Sequence, residues 1–233
     1  MSFQEVYNAG YVIIGYAAIA IMSIVLHEIA HGYVAYRCGD PTAYLAGRLT
    51  LNPIKHIDPF MTIAVPALCL FLGLPVFGGA KPVPVNPYLL KRRVVHGRLV
   101  SLAGVVVNLA IAWVLALLLH LLLKFEVVTP SSPHAIVLGM AIFTNVVLFV
   151  FNLMPIPPLD GSHVLRSFLP ESIRQVFNSL DRWGLILLVI ALSTPVFFDV
   201  MKTGIAVVWV YVLRFDGELY AQIWQGFHTV SHL

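Results

Sequence analysis

His27-Glu28-Ile29-Ala30-His31 brings two imidazoles and a carboxylate into five consecutive residues. Residues four apart on a helix lie on one face, one turn from each other. Two imidazoles so placed can reach a single zinc ion, and the glutamate beside the first is positioned to act as general base on zinc-activated water. A pattern this short also arises by chance. Its surroundings give it weight, because it lies within a run that is otherwise apolar from Tyr11 onward. Ionisable residues inside a membrane span are costly and read first as functional.

Catalytic zinc takes three protein ligands and keeps one position open. The run Asn152-Leu153-Met154-Pro155-Ile156-Pro157-Pro158-Leu159-Asp160-Gly161 offers Asp160 as the third. Its prolines end the preceding helix and Gly161 permits a turn. Taken alone, the same residues also make an ordinary Pro-Asp-Gly turn at a membrane surface. His56 and Asp58 could imitate ligands, but no second motif supports them. Cys38 and Cys69 stand far apart and form no C-x-x-C pattern, so they read as packing residues. Asn145 and Asn152 are seven apart and share a helix face, and Asn108 could hydrogen-bond across helices.

The elements that carry these residues belong in a bilayer. Of 233 residues, 59% are hydrophobic and 11% charged, with a mean hydropathy of +0.88. Soluble domains carry about 25% charged residues. The expected fold is an all-α polytopic membrane protein with about five or six spans. Apolar segments lie at 11–36, 98–123, 135–154, 183–198 and 203–213, with a sixth at 60–78 interrupted by Pro66, Gly73 and Pro75. The stretch from Met1 to Gly10 has no Lys or Arg, so 11–36 reads as a retained first span rather than a cleaved signal.

Lys and Arg mark cytoplasmic loops. They gather at 37–59, at 81–98 and at 156–182. Spans 11–36 and 135–154 then run parallel, with both motifs at their cytoplasmic ends. Segment 60–78 has positive flanks on both sides, which favours a re-entrant or shallow hairpin over a full span. The tail from Asp216 sets Leu219, Ile223, Phe227 and Val230 on nearly one face, as an interfacial helix would.

Four pieces together resemble the site-2 proteases, a family of intramembrane zinc metalloproteases. They are His27-Glu28-Ile29-Ala30-His31; Gly79-Ala80-Lys81-Pro82-Val83-Pro84-Val85-Asn86-Pro87; Gly104-Val105-Val106-Val107-Asn108; and the run from Asn152 through Gly161. The resemblance ties down about residues 11–168 and implies one zinc per chain on His27, His31 and Asp160. It implies Glu28 as catalytic base and Asn152 as a holder of the substrate or the oxyanion. Gly79, Ala80, Lys81, Pro82 and Val83 look like the family's membrane-embedded strand or loop beside the site. An extended substrate could pair with that edge, and Pro82, Pro84 and Pro87 restrict it to edge use. The chain departs from the family at Val105, where proline is usual, and at Ser162 and His163, where glycine and arginine are usual. His163 reads as a spare ligand, a gate or an interfacial polar residue.

No inserted regulatory domain fits between the spans, so the expectation is one membrane-embedded domain over 1–233. Its catalytic core is about 11–168, followed by accessory helices at about 183–233. The expected substrate is a single-span membrane protein or membrane peptide. The expected setting is the plasma membrane of a prokaryote, with the site toward the cytoplasm. The lipid bilayer is the surrounding partner, a homo-oligomer is compatible, and nucleic acid is not expected. A rival from another class is a zinc-binding membrane protein without catalysis, such as a transporter or a silent scaffold. Glu28 discriminates, since metal binding alone has no use for it.

Overall fold

A computed structural model gives the structure and describes residues 3–71, 78–215, 221 and 225. The described chain is helical and contains no strand. In chain order the helices are α1 (Phe3–Arg37), α2 (Thr42–Leu45), α3 (Val65–Phe71), α4 (Arg93–Lys124) and α5 (Pro133–Leu153). They continue as α6 (Asp160–Arg166), α7 (Glu171–Leu180), α8 (Gly184–Leu192) and α9 (Pro195–Val207). Among the described residues, five stretches are long and apolar enough to cross a bilayer: Gly10–Arg37, Arg93–Lys124, Pro133–Leu153, Glu171–Leu192 and Pro195–Val212.

The last two differ from the expected 183–198 and 203–213. The break between them falls at Ser193 and Thr194. Proline lacks the N–H that a helix interior needs but suits a first turn, so Pro195 opens a helix and cannot lie within one. Thr194 Oγ1 accepts the Phe197 N–H at 3.3 Å and caps that start. The fourth stretch begins early because α7, a 3₁₀ turn at Asp181–Trp183 and α8 run on without a loop.

The interrupted segment is a six-residue π turn, Pro59–Ala64, followed by the seven residues of α3. Together they rise about 20 Å, against about 30 Å of hydrocarbon. Asp58 caps the π turn, its Oδ1 accepting from the N–H groups of Phe60 and Met61, both at 2.9 Å. Residues 72–77 and the expected interfacial helix from Asp216 lie outside the described residues.

The chain packs as two compact units. One holds Met1–Ser23, Asn108–Val150 and Met201–Leu233. Its polarity is inverted: Ile14, Trp113 and Val114 are exposed, while Ser23, Asn108 and Asn145 are buried. Asn108 Nδ2 donates to Asn145 Oδ1 at 3.0 Å, and Asn145 Nδ2 donates to Ser23 Oγ at 2.9 Å. These bonds join α1, α4 and α5 where the expected cross-helix bonding of Asn108 called for it. Val12, Ile136 and Val137 form an apolar cluster in the same unit.

The other unit holds Ile24–Val107 and Phe151–Val200. Ala35, Leu90 and Val100 form a core cluster there. The segment after α1 is pinned to the segment before α4. Asp40 is fully buried, its Oδ2 accepts the Asn86 N–H at 2.6 Å, and the Cys38 carbonyl accepts the Lys91 N–H at 3.1 Å. Gly39 has φ +110°, and a Cβ there would meet the Leu89 carbonyl at 3.2 Å, so this crossing needs glycine.

Candidate metal centre

Helix α1 carries His27 and His31 one turn apart, as the spacing predicts, with ring centroids 4.7 Å apart and planes at 81°. Asp160 arrives from the end of α5. Met154 through Leu159 form a proline-rich turn, and Asp160 opens α6. A Cβ on Gly161 would run into the backbone of Leu153 and Met154, so only glycine lets α6 start this close to α5.

Three atoms converge. His27 Nε2 lies 3.1 Å from His31 Nε2, and Asp160 Oδ2 lies 3.2 Å and 3.3 Å from the two. Zinc bonds of about 2.0–2.1 Å at tetrahedral angles set ligand atoms about 3.3 Å apart. His31 Nδ1 donates to the Val100 carbonyl at 2.7 Å, which leaves Nε2 as a lone pair facing the convergence point. Asp160 Oδ2 is buried and accepts no hydrogen bond of good geometry. Three electron-rich atoms aimed at one point fit a cation, and the donor set of two imidazoles and one carboxylate suits zinc.

Gly104 on α4 makes the room. A Cβ there would overlap His31 Nε2 and come within 2.5 Å of His27 Cε1. The sequence showed Gly104 only as the first residue of a motif. Its role is to hold no side chain, which no donor pattern reveals.

Glu28 stays out of the ligand set. Its Oε2 accepts the Val83 N–H at 2.9 Å, which ties it to the expected substrate-binding stretch. That stretch is bonded in alternation. Gly79 N–H donates to the Met61 carbonyl at 3.1 Å and Lys81 N–H to the His56 carbonyl at 2.8 Å. The Gly79 carbonyl accepts from Thr62 Oγ1 at 2.7 Å. The Lys81 carbonyl accepts from Arg48 Nη2 at 2.6 Å, and the Pro82 carbonyl from Arg48 Nη1 at 3.3 Å. The N–H groups of Gly79, Lys81 and Val83 thus turn toward the protein, the period of an extended chain, and Arg48 holds the Pro82 carbonyl as well. The opposite edge carries Ala80, Pro82 and Pro84, of which only Ala80 has an N–H.

Asn152 lies in the last turn of α5, half-buried. His163 is exposed on α6 and outside the converging three. His56 is buried with Nε2 donating to the Thr50 carbonyl at 2.9 Å, and Asp58 is the cap described above, so both have structural roles. Cys38 and Cys69 are free thiols. Arg48, buried on two backbone carbonyls, was read from sequence only as an orienting charge.

Residues 128–192 match Peptidase family M50. YwhC of Bacillus subtilis (strain 168) is 42% identical over 178 residues, covering 75% of this chain and 78% of that protein. Rip2 of Mycolicibacterium smegmatis is 34% identical over 178 residues, and Rip2 of Mycobacterium tuberculosis (strain H37Rv) 32%. The chain spans 65% of each mycobacterial relative. The names of all three assign them provisionally to the zinc metalloproteases. No solved structure matches the chain.

Proposed function

The chain belongs to peptidase family M50, and from that premise we propose that it is an intramembrane zinc metalloprotease that hydrolyses peptide bonds of membrane-spanning substrates. The observation that carries this reading is the convergence of His27 Nε2, His31 Nε2 and Asp160 Oδ2 within 3.3 Å, with Glu28 beside them and bound elsewhere. Zinc, when bound, polarises the scissile carbonyl and makes water acidic enough to be deprotonated near neutral pH.

The chain's own residues do the rest. Glu28 takes the proton of the attacking water and returns it to the leaving amine. One oxygen of its carboxylate is held by the Val83 N–H, which leaves the other to accept that proton. Asn152 steadies the substrate or the developing oxyanion. A substrate helix hides its carbonyls in its own hydrogen bonds, so it unwinds locally before cleavage. Its extended stretch lies along residues 79–83, on the edge that Ala80 and the prolines present. The chain is an integral, multi-pass membrane protein. We place it in a prokaryotic plasma membrane with the site open to cytoplasmic water, on the distribution of Lys and Arg.

Co-expression with single-span membrane proteins, comparing the native chain with Glu28→Gln, tests the proposal. The variant keeps size and packing but cannot accept a proton. Its zinc content should be unchanged and its turnover should drop by at least 10²–10⁴-fold, the range for a lost general base. Near-native cleavage by Glu28→Gln would remove the mechanism and return the non-proteolytic zinc binder as the better reading.

A further inference from the structure

We propose that Arg48 is a positioning residue for catalysis: its guanidinium clamps the carbonyls of Lys81 and Pro82 so that the Val83 N–H seats one oxygen of Glu28. The proposal rests on the reading of Glu28 as the general base.

Arg48 is 7% exposed, and among the described residues it has no carboxylate partner. A guanidinium taken out of water without a counter-ion is costly. Anchoring a loop needs only a neutral donor, so the cost points to a demand for geometry. A planar fork meets two adjacent carbonyls in one fixed orientation, and here it does so at 2.6 and 3.3 Å. Lys81 is gripped from its other group as well, by its N–H on the His56 carbonyl at 2.8 Å. Two residues beyond Lys81, the Val83 N–H meets Glu28 at 2.9 Å. The Val83 side chain is buried and presses on α1 where Gly32 follows His31. A Cβ on Gly32 would come within 2.8 Å of Val83 Cγ1. Farther along, Asp40 holds the Asn86 N–H at 2.6 Å. The stretch is therefore fixed on both sides of Val83, and Arg48 supplies the fixing nearest to Glu28. Without it, a carboxylate on a three-torsion side chain loses the one donor that orients it. Misplacement of a reacting group by about 1 Å can cost 10²-fold in rate.

The test combines Arg48→Met, Arg48→Lys and a backbone ester that replaces only the Val83 N–H with oxygen. The probe is a single-span protein cleaved in the co-expression test, and the Val83 amide is followed by ¹⁵N-valine NMR. Arg48→Met and the ester should each lower kcat about 10–100-fold with zinc content unchanged, a larger change than any rise in KM from the loosened substrate edge. The double variant should fall no further than the worse single, as for two changes acting through one contact. Arg48→Lys should recover part of kcat, and in Arg48→Met the Val83 amide should lose its protection from hydrogen exchange. If Arg48→Met does not fold, the lysine variant and the ester carry the same cycle. Effects that multiply, or a Val83 amide protected as before, would overturn the proposal and leave Arg48 a loop anchor. Full activity of Glu28→Gln would instead overturn the reading beneath it, whatever Arg48 does.

Discussion

Gly104 contributes no atom to the metal centre, yet it decides whether the centre exists. Both imidazoles lie where its side chain would be. Gly104→Ala should preserve helix content, since alanine favours helix more than glycine does. Zinc affinity should fall at least tenfold and cleavage with it, as competition with a chromogenic chelator would report. Native affinity in that variant would mean that the His pair has room to move. This residue also marks what could be read in advance. The convergence of His27, His31 and Asp160 was legible because donor side chains stand out in apolar surroundings and the spacing of the two histidines matches a helix. Gly104 was not, because its function is an absence. The burial of Arg48 was not legible either, because a sequence does not say whether a charge sits in water or inside the protein.

Among the elements, the apolar segment between 59 and 71 sets the clearest problem. Its described residues rise about 20 Å, and polar residues ahead of it face inward: His56 and Arg48 are buried, whereas Leu45, Ile54, Phe60 and Phe71 are exposed. Cysteines at 46 and 92, in a chain freed of Cys38 and Cys69, should both react with a membrane-impermeant maleimide from one and the same side. Labelling from opposite sides would require a full crossing between them. The five spanning stretches were legible because length and hydropathy suffice for existence. Their limits were not, because an apolar run such as 183–198 continues through the Ser193-Thr194 break without a change in character. Only the cap and the proline behind it end one helix and begin another.

At the scale of the molecule, the metal centre joins parts of the chain that lie far apart in sequence, α1 and α6. Removing the metal leaves two lone pairs and a carboxylate facing one another, so the centre should help hold the fold. Zinc at about 100 times its Kd adds about 2.7 kcal/mol, which at about 2–4 °C per kcal/mol predicts a loss of roughly 5–10 °C in Tm on treatment with a strong chelator. Re-addition of zinc should restore it, and His31→Ala should show no response to either step. An unchanged Tm in the native chain would mean that the three ligands are held by packing alone. One feature bears on how many copies can live together in a membrane. An unpaired chain edge invites any passing strand, another molecule's included, and a long one seeds aggregates. Between 80 and 84 both outward positions after Ala80 are proline, so a ladder begun at Ala80 has no donor with which to continue. The molecule can lend its edge to one short guest without pairing, edge to edge, with others of its own kind.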